Sequence, residues 1–315
     1  MKRYLTIIAL AFATTFAASA QEEEEKPNYW KTQAVLDLGF DQTGLTNWAQ
    51  GGYNTVSLSA GIDAKANYAK ELMSWDNRLQ LQYGFLWSQD KSNLLQKKND
   101  RLYFESKWAY KTQAESTWKY SASFDFRSQF TDTYDKYQQQ ADGKWTGTLK
   151  SGFFSPAYTT IAIGIDWVPN EWFDMNVAPL TGGFTICNIE SLRKGYGMKL
   201  IDSTFDPAIG SSYHSALFQF GAQVKMNFKV AFNEVLSYDT QLVLFTDYLN
   251  NPFKQVRVNW DNVLRWQANK FLKLEFKTWL LYDPIVTFED GAHRVQFKEF
   301  FQVNFTYTFA SKNKK

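Results

Sequence analysis

Ser212 and His214 are the residues of this sequence that most resemble a catalytic pair. They lie two positions apart, so in an extended strand both side chains would lie on the same face. A serine hydroxyl beside an imidazole base can attack an ester, and Asp202 or Asp206 would orient the imidazole. Serine and histidine also occur this close by chance, and a surface histidine is the simpler interpretation. The sequence therefore favours a protein that is not an enzyme, with a lipid hydrolase as a distant alternative.

Few residues of the sequence could form a metal or cofactor site. The chain contains two histidines and one cysteine, and none of them lies in a cluster with metal-ligand spacing. The motif at 195–197 (GYG) lacks a following helix, so its glycines fit a turn better than a phosphate-binding loop. Cys187 has no second cysteine to pair with and is expected to be a small apolar strand residue. We expect no metal and no cofactor.

Charged residues recur at every second position, between apolar ones. From 118 to 130 the even positions are mainly aromatic, whereas the odd positions are polar and include Asp125 and Arg127. The same split recurs over 75–88 and 216–230. Because side chains alternate between the two faces of a β-strand, each strand has an apolar face and a polar, charged face.

This alternation predicts about twelve β-strands. Their spans are 32–41, 53–68, 73–89, 100–112, 117–131, 157–168, 172–187, 213–231, 235–247, 255–268, 271–283 and 295–309. Short connections alternate with longer ones at 42–52, 90–99, 132–156, 188–212, 248–254 and 284–294. Alternating short turns and long loops are typical of an antiparallel up-and-down transmembrane β-barrel with both termini on the periplasmic side.

The composition fits a chain that crosses a membrane with strands. Aromatic residues make up 18% and charged residues 21% of the chain, and beyond residue 20 no run reaches the roughly 18 apolar residues of a membrane helix. In hydrocarbon every backbone polar group needs a partner, so strands cross only as a closed sheet with apolar side chains toward lipid. The alternative is a soluble β-sandwich or a barrel with an apolar interior. An aromatic girdle is expected at Trp75, Trp87, Tyr110, Trp118, Trp167, Trp260 and Trp266.

The ends of the chain indicate export. Residues 1–20 have the basic start, apolar core and small residues at 18–20 (ASA) of a signal peptide. We expect a periplasmic leader at 21–30, an outer-membrane barrel at 31–309 in contact with membrane lipid, and a basic tail at 310–315. The terminal strand ends in alternating aromatic residues, which resembles the signal that barrel-insertion machinery recognises. The 34 basic and 32 acidic residues nearly balance, so nothing points to nucleic acid.

The polar faces would enclose a densely charged lumen. The residues placed there are Asp37, Asp63, Lys65, Asp76, Arg78, Glu105, Lys107, Lys119, Asp125, Arg127, Asp166, Lys225, Lys229, Asp239, Arg257, Asp261, Arg265, Lys273, Glu275 and Lys277. One interpretation is a hydrated pore lined by charge. The other is a lattice of salt bridges that fills a narrow lumen. Both signs are present, so the sequence indicates no strong preference for anions or cations.

Four short motifs resemble those of a domain-of-unknown-function family of Gram-negative envelope proteins. They lie at 47–52 (NWAQGG), 75–77 (WDN), 178–183 (APLTGG) and 195–197 (GYG), so the resemblance spans nearly the whole mature chain. It implies an outer-membrane barrel of about this size and no established substrate. Within the third motif, Pro179 cannot donate to the sheet ladder, which predicts a bulge or bend in the seventh strand.

The sequence is compatible with three functions. The first is a narrow channel for small polar solutes. The second is a non-transporting structural or docking component of an envelope assembly, whose protein partner the sequence does not identify. The lipid hydrolase is a distant third. The long loops at 132–156 and 188–212 have two interpretations, a constriction folded into the lumen or a mobile external loop.

Overall fold

The computed structural model describes residues 28–43, 54–201, 212–249, 256–286 and 291–310. The chain divides into two units, Met1–Trp30 and Lys31–Lys315, and the second contains every strand of the sheet apart from Trp30, the first strand residue. The signal peptide, nearly all of the leader and the basic tail beyond residue 310 lie outside the described residues. No helix in the described part of the chain is long and apolar enough to cross a membrane.

Twelve antiparallel strands close into one barrel. The strands of the barrel are β1 (Trp30–Thr43), β2 (Thr55–Lys70), β3 (Met73–Ser88), β4 (Leu95–Lys111), β5 (Trp118–Ser128), β8 (Ala157–Trp167), β9 (Phe173–Ile186), β10 (Ala216–Ala231), β11 (Leu236–Asp247), β12 (Val256–Gln267), β13 (Leu272–Tyr282) and β14 (Gln296–Ala310). Each strand neighbours the next barrel strand in the sequence, and β1 pairs with β14 to close the sheet. The predicted fold class is confirmed, with one barrel strand for each predicted span.

The faces of the barrel are inverted relative to a soluble protein. Leu38 and Phe301 are 62% and 57% exposed on the outside, whereas the polar Gln302 and Asn304 are 3% and 1% exposed inside. The apolar stripes therefore cover the outer wall, and the ionic stripes meet within it. A soluble sandwich or a barrel with an apolar core would show the opposite arrangement.

Most of the predicted aromatic girdle lies close to the short turns. Trp75, Tyr110, Trp118 and Trp266 are each two residues or fewer from a strand end on that side and are exposed. Trp167 stacks against Trp118 with ring centroids 5.9 Å apart. The remaining two, Trp87 and Trp260, lie further toward the long connections.

Strand β9 is irregular where the sequence predicts it. Thr181 pairs with Gly221 of β10 and Ala178 with Gln223, so two residues of β9, one of them Pro179, oppose a single residue of β10. The register of β8 against β9 shifts at the same place, opposite Gly164. A Cβ atom at Gly164 would lie 2.2 Å from the Val177 carbonyl oxygen, so only glycine allows this approach. The predicted bulge at Pro179 is confirmed.

Two features of the long connections differ from the prediction. Residues 132–156 contain a two-stranded hairpin outside the barrel, β6 (Thr133–Gln139) and β7 (Trp145–Ser151). Strand β4 begins at Leu95 rather than near residue 100, so the connection after β3 is short and the alternation of loop lengths is less strict there. A register shift beside Lys98 interrupts the two-residue period, which explains why the polar start of β4 is hard to recognise.

Candidate functional site

The barrel encloses two cavities. The axial cavity, of about 860 Å³, is lined from Asn67 and Asp76 near the short turns to Lys97 and Thr133 near the long connections. The vestibule, of about 1050 Å³, lies at the loop end, where residues of β7 and of the segment after β9 contribute to its lining. Both cavities are lined by Asp100, Arg101, Gln129, Asp261 and Trp279, a set we call the junction.

The structure places most of the predicted lumen residues on these cavities. The axial cavity is lined by Asp37, Asp63, Lys65, Asp76, Arg78, Glu105, Lys107, Lys225, Lys229, Asp239, Asp261, Arg265, Lys273, Glu275 and Lys277. The vestibule is lined by Arg127 and Arg257, with Asp261 common to both. Neither lining includes Asp125, which lies beside Arg127, Asp166, which is buried in the wall, or Lys119, which faces Asp166 in the register of β5 and β8.

Arg101 is the main lumen residue that the sequence analysis missed. It lies on β4 two positions before Tyr103 and four before Glu105, so the same parity that places Glu105 inside also places Arg101 inside. The predicted span 100–112 already contained it, but the lumen residues assigned to that strand began at Glu105. Asp283 is the last residue of the predicted span 271–283 and lies one residue beyond β13, and it was likewise not assigned to the lumen.

A cluster around Glu275 braces the axial cavity. The carboxylate is 4% exposed and accepts from Lys277 at 2.7 Å, from Arg265 Nε at 2.9 Å and from Asn304 at 2.9 Å. Lys273 lies 3.4 Å from it and also pairs with Asp37 at 3.0 Å. A buried carboxylate is tolerated only with such partners, so this Glu275 cluster ties β12, β13 and β14 together.

Other ion pairs connect strands that lie progressively further apart around the barrel. Arg78 forms a two-pronged contact with Asp63 on the adjacent strand, at 3.0 Å and 2.6 Å. Lys107 reaches Asp166 at 2.6 Å past the intervening strand β5. Lys225 of β10 pairs with Glu105 of β4, although β5, β8 and β9 lie between these strands. The last pair therefore crosses the lumen.

Hydrogen bonds to backbone carbonyls hold the connections at the loop end of the barrel. Arg193 donates to the carbonyls of residues 187, 188 and 213, at 3.0 Å, 3.1 Å and 3.0 Å. Tyr196 donates to the carbonyl of Lys150 in β7 at 3.1 Å, which joins the two long connections. Both connections fold over the vestibule as far as they are described, and residues 202–211 lie outside the described part. Burial raises the pKa of the Tyr196 hydroxyl, so it acts here as a neutral donor.

Cys187 belongs to a small apolar cluster at this end. It is fully buried just beyond β9 and contacts Met198 and Leu217, with Tyr213 and Ile285 packed around them. Burial raises the pKa of its thiol. The residue therefore behaves as the expected small apolar side chain, although it lies in a connection rather than in a strand.

The catalytic pair and metal sites gain no support from the geometry. Ser212 is 2% exposed, whereas His214 is exposed, and a nucleophile must reach its substrate. Asp202 and Asp206 lie outside the described residues. Within the described ranges no group of histidine, cysteine or acidic side chains has the arrangement of a metal site.

A closed antiparallel sheet with an apolar outer wall and a polar, ion-paired interior defines a transmembrane β-barrel protein. Residues 40–134 match the model of a family described as a protein of unknown function, DUF3078. The matched stretch contains the motifs at 47–52 and 75–77 and confirms the resemblance there. The motifs at 178–183 and 195–197 lie beyond it. No curated protein is significantly similar to this chain.

Solved barrels are similar to the chain over most of its length. An outer membrane channel from Pseudomonas putida F1 is 12% identical, with 92% of this chain and 100% of that chain covered and a TM-score of 0.40. The NanC porin is 7% identical over 86% and 98%, with a TM-score of 0.38. The translocator domain of the autotransporter NalP from Neisseria meningitidis is 7% identical over 98% of both chains, with a TM-score of 0.36. The barrel assignment rests on this chain's own strand pairing.

Proposed function

We propose that this protein is a narrow channel for small polar solutes in the outer membrane of a Gram-negative envelope. The observation that carries the proposal is the axial cavity, whose polar lining extends from the short-turn end to the long-connection end. A charged lining of mixed sign compensates a polar solute for the water that it loses on entering a narrow passage.

The dimensions of the wall agree with this membrane setting. The barrel strands have 11 to 17 residues, and a tilted strand needs about 9–11 residues to cross the hydrocarbon layer. Both ends of the sheet lie on the side of the short turns, since Gln33 pairs with Ala310. We place that side in the periplasm and the vestibule outside. Export by residues 1–20 and delivery to the barrel-insertion machinery are part of the same proposal.

Single-channel recording tests the proposal directly. Purified, refolded protein in a planar bilayer with potassium chloride on both sides should give discrete conductance steps. A matched control is the heat-unfolded protein at the same concentration, which should give none. Folded protein that shows a heat-shifted gel mobility, yet passes no current, would overturn the channel proposal.

The ion pair between Glu105 and Lys225 favours a second candidate, a sealed barrel that serves an envelope assembly. This pair joins walls that are separated by three strands and so narrows the lumen. A sealed barrel would pass no current and would copurify with an envelope protein after mild crosslinking in cells. Removal of both charges by Glu105→Gln and Lys225→Gln distinguishes the two candidates, since it should widen a working channel and leave a docking component assembled.

A further inference from the structure

Two arginines, Arg101 at the junction and Arg127 in the adjoining vestibule lining, lack the partners that other lumen arginines have. Arg78 makes two hydrogen bonds to Asp63, and Arg265 contacts both Asp239 and Glu275. In the described ranges, Arg101 forms no hydrogen bond or ion pair. Its guanidinium carbon lies 5.2 Å from the centroid of the Tyr103 ring, and its charge attracts that of Asp261 without direct contact. Arg127 has only a 3.4 Å ion pair with Asp125, and its buried Nε makes no hydrogen bond there.

The strand register brings these two guanidinium groups to one wall. Arg127 of β5 pairs with Tyr103 of β4, and Arg101 is the next inward residue on β4. Their charges are close enough to repel each other. Nearby, the ammonium of Lys225 is already engaged by Glu105. The wall therefore presents two guanidinium groups whose planar N–H edges are largely free.

The opposite wall supplies one acceptor. Asp261 lies on β12, six strand positions from β4 around a twelve-stranded barrel, which is diametrically opposite. Its carboxylate lines both cavities and forms no hydrogen bond or ion pair with any side chain of the described ranges. Trp279 beside it donates its indole N–H to Asn259 at 2.5 Å and presents its ring to the lumen.

We propose that Arg101 and Arg127 form a binding site for small oxyanions, carboxylates or phosphates, on the path through the lumen. Guanidinium groups bind such anions in a two-pronged geometry that a lysine ammonium cannot reproduce. Asp261 then receives a hydroxyl or ammonium group on the far side of the same solute. This inference rests on the proposed channel, and it narrows the polar solutes to hydroxylated organic acids and phosphate.

The test measures whether inorganic phosphate and gluconate block the potassium chloride current. Tris, a cation of similar size, is the control for block by size alone. Arg101→Gln should raise the apparent dissociation constant for the blocking anion about tenfold, since it removes charge-assisted hydrogen bonds. Arg101→Lys keeps the charge and should still lose most of this affinity. Lys229→Gln removes the same charge elsewhere in the axial cavity and measures the general electrostatic effect, which should stay below about twofold.

The outcomes separate the inference from the channel. Equal effects of Arg101→Gln and Lys229→Gln, or a current that neither anion blocks, would overturn the anion site and leave the channel intact. A current blocked by phosphate alone or by gluconate alone identifies which oxyanion the site takes. If folded protein passes no current, the channel fails, and calorimetric titration of the detergent-solubilised barrel with both anions then decides the site by itself. Loss of the binding heat in Arg101→Gln supports the site, and absence of binding heat in the wild type removes it.

Discussion

The axial cavity and the vestibule are built from the same alternating strands, yet they are held in different ways. Around Glu275 each lumen charge has partners on neighbouring strands, so the side chains themselves fix the wall. The vestibule is covered by the two long connections, which Tyr196 joins to each other, and an ion pair of Arg257 with Asp283 at 2.8 Å lies in its wall. A charge in the lumen is therefore structural where its partners saturate it and available to a solute where they do not.

Loss of the Glu275 carboxylate should have the largest effect on stability. Glu275→Gln leaves two lysines and an arginine without their shared acceptor, which should cost about 3 kcal/mol in the free energy of unfolding. Urea titration in lipid vesicles, read by heat-shifted gel mobility, measures it. Asp76→Asn is the control, because Asp76 lines the same cavity and no ion pair to it is found among the described residues; it should cost less than about 1 kcal/mol. Equal losses would refute the contrast between saturated and free charges.

A methyl group opposite the bulge should have the next largest effect. Gly164→Ala places a Cβ against the Val177 carbonyl and should cost about 2 kcal/mol through a forced backbone shift. Gly182→Ala is the matched control on β9, where the nearest atom to the added Cβ would be 3.6 Å away. The same urea titration compares them. A neutral Gly164→Ala would show that the barrel wall does not depend on this close approach.

The ion pair of Glu105 with Lys225 crosses the lumen, so it affects both the stability of the barrel and the passage of solutes. Glu105→Gln and Lys225→Gln, alone and together, should give a coupling energy of about 1 kcal/mol in a double-mutant cycle. The double variant should also conduct more than the wild type, because no ion pair between these residues would then cross the lumen. Additive stability changes together with an unaltered conductance would mean that the two side chains do not brace the lumen.

The smallest effect on stability is expected where the two long connections cover the vestibule. Tyr196→Phe removes one hydrogen bond, to the Lys150 carbonyl, and should cost about 1 kcal/mol or less. Its effect should be visible mainly as more frequent current fluctuations, since the two connections would separate more readily. Tyr134→Phe, in the hairpin that contains Lys150, is the control for loss of a tyrosine hydroxyl, because in the part of the chain that the structure describes that hydroxyl donates only to the nearby Asp132 at 3.4 Å. A large loss of stability in Tyr196→Phe would show that the barrel depends on this contact between the two connections.

The two-residue period was sufficient to predict the barrel and most of its charged lining. It places Glu275 and Lys277 inside because one face of a strand must be polar when the other faces lipid. It failed at the start of β4, where the bulge beside Lys98 breaks the period. Arg101 lies beyond that bulge and has the parity of Glu105, so the period places it inside although it was not assigned there. The hairpin β6–β7 was missed although Asp142 and Gly143 form a typical turn dipeptide between two polar strands. The contact of Tyr196 with Lys150 joins two segments that are distant in the sequence, so no local pattern of residues predicts it.

The most direct test of the account is which face of β2 meets water. In a Cys187→Ser background, Lys65→Cys should react with a charged, water-soluble thiol reagent in intact vesicles. Ile62→Cys on the outer face should be protected from that reagent, and a fluorophore attached to it before refolding should be quenched by brominated lipid. A barrel with its apolar face in lipid and its charged face in a hydrated lumen predicts this division. A reactive Ile62→Cys with a protected Lys65→Cys would contradict it.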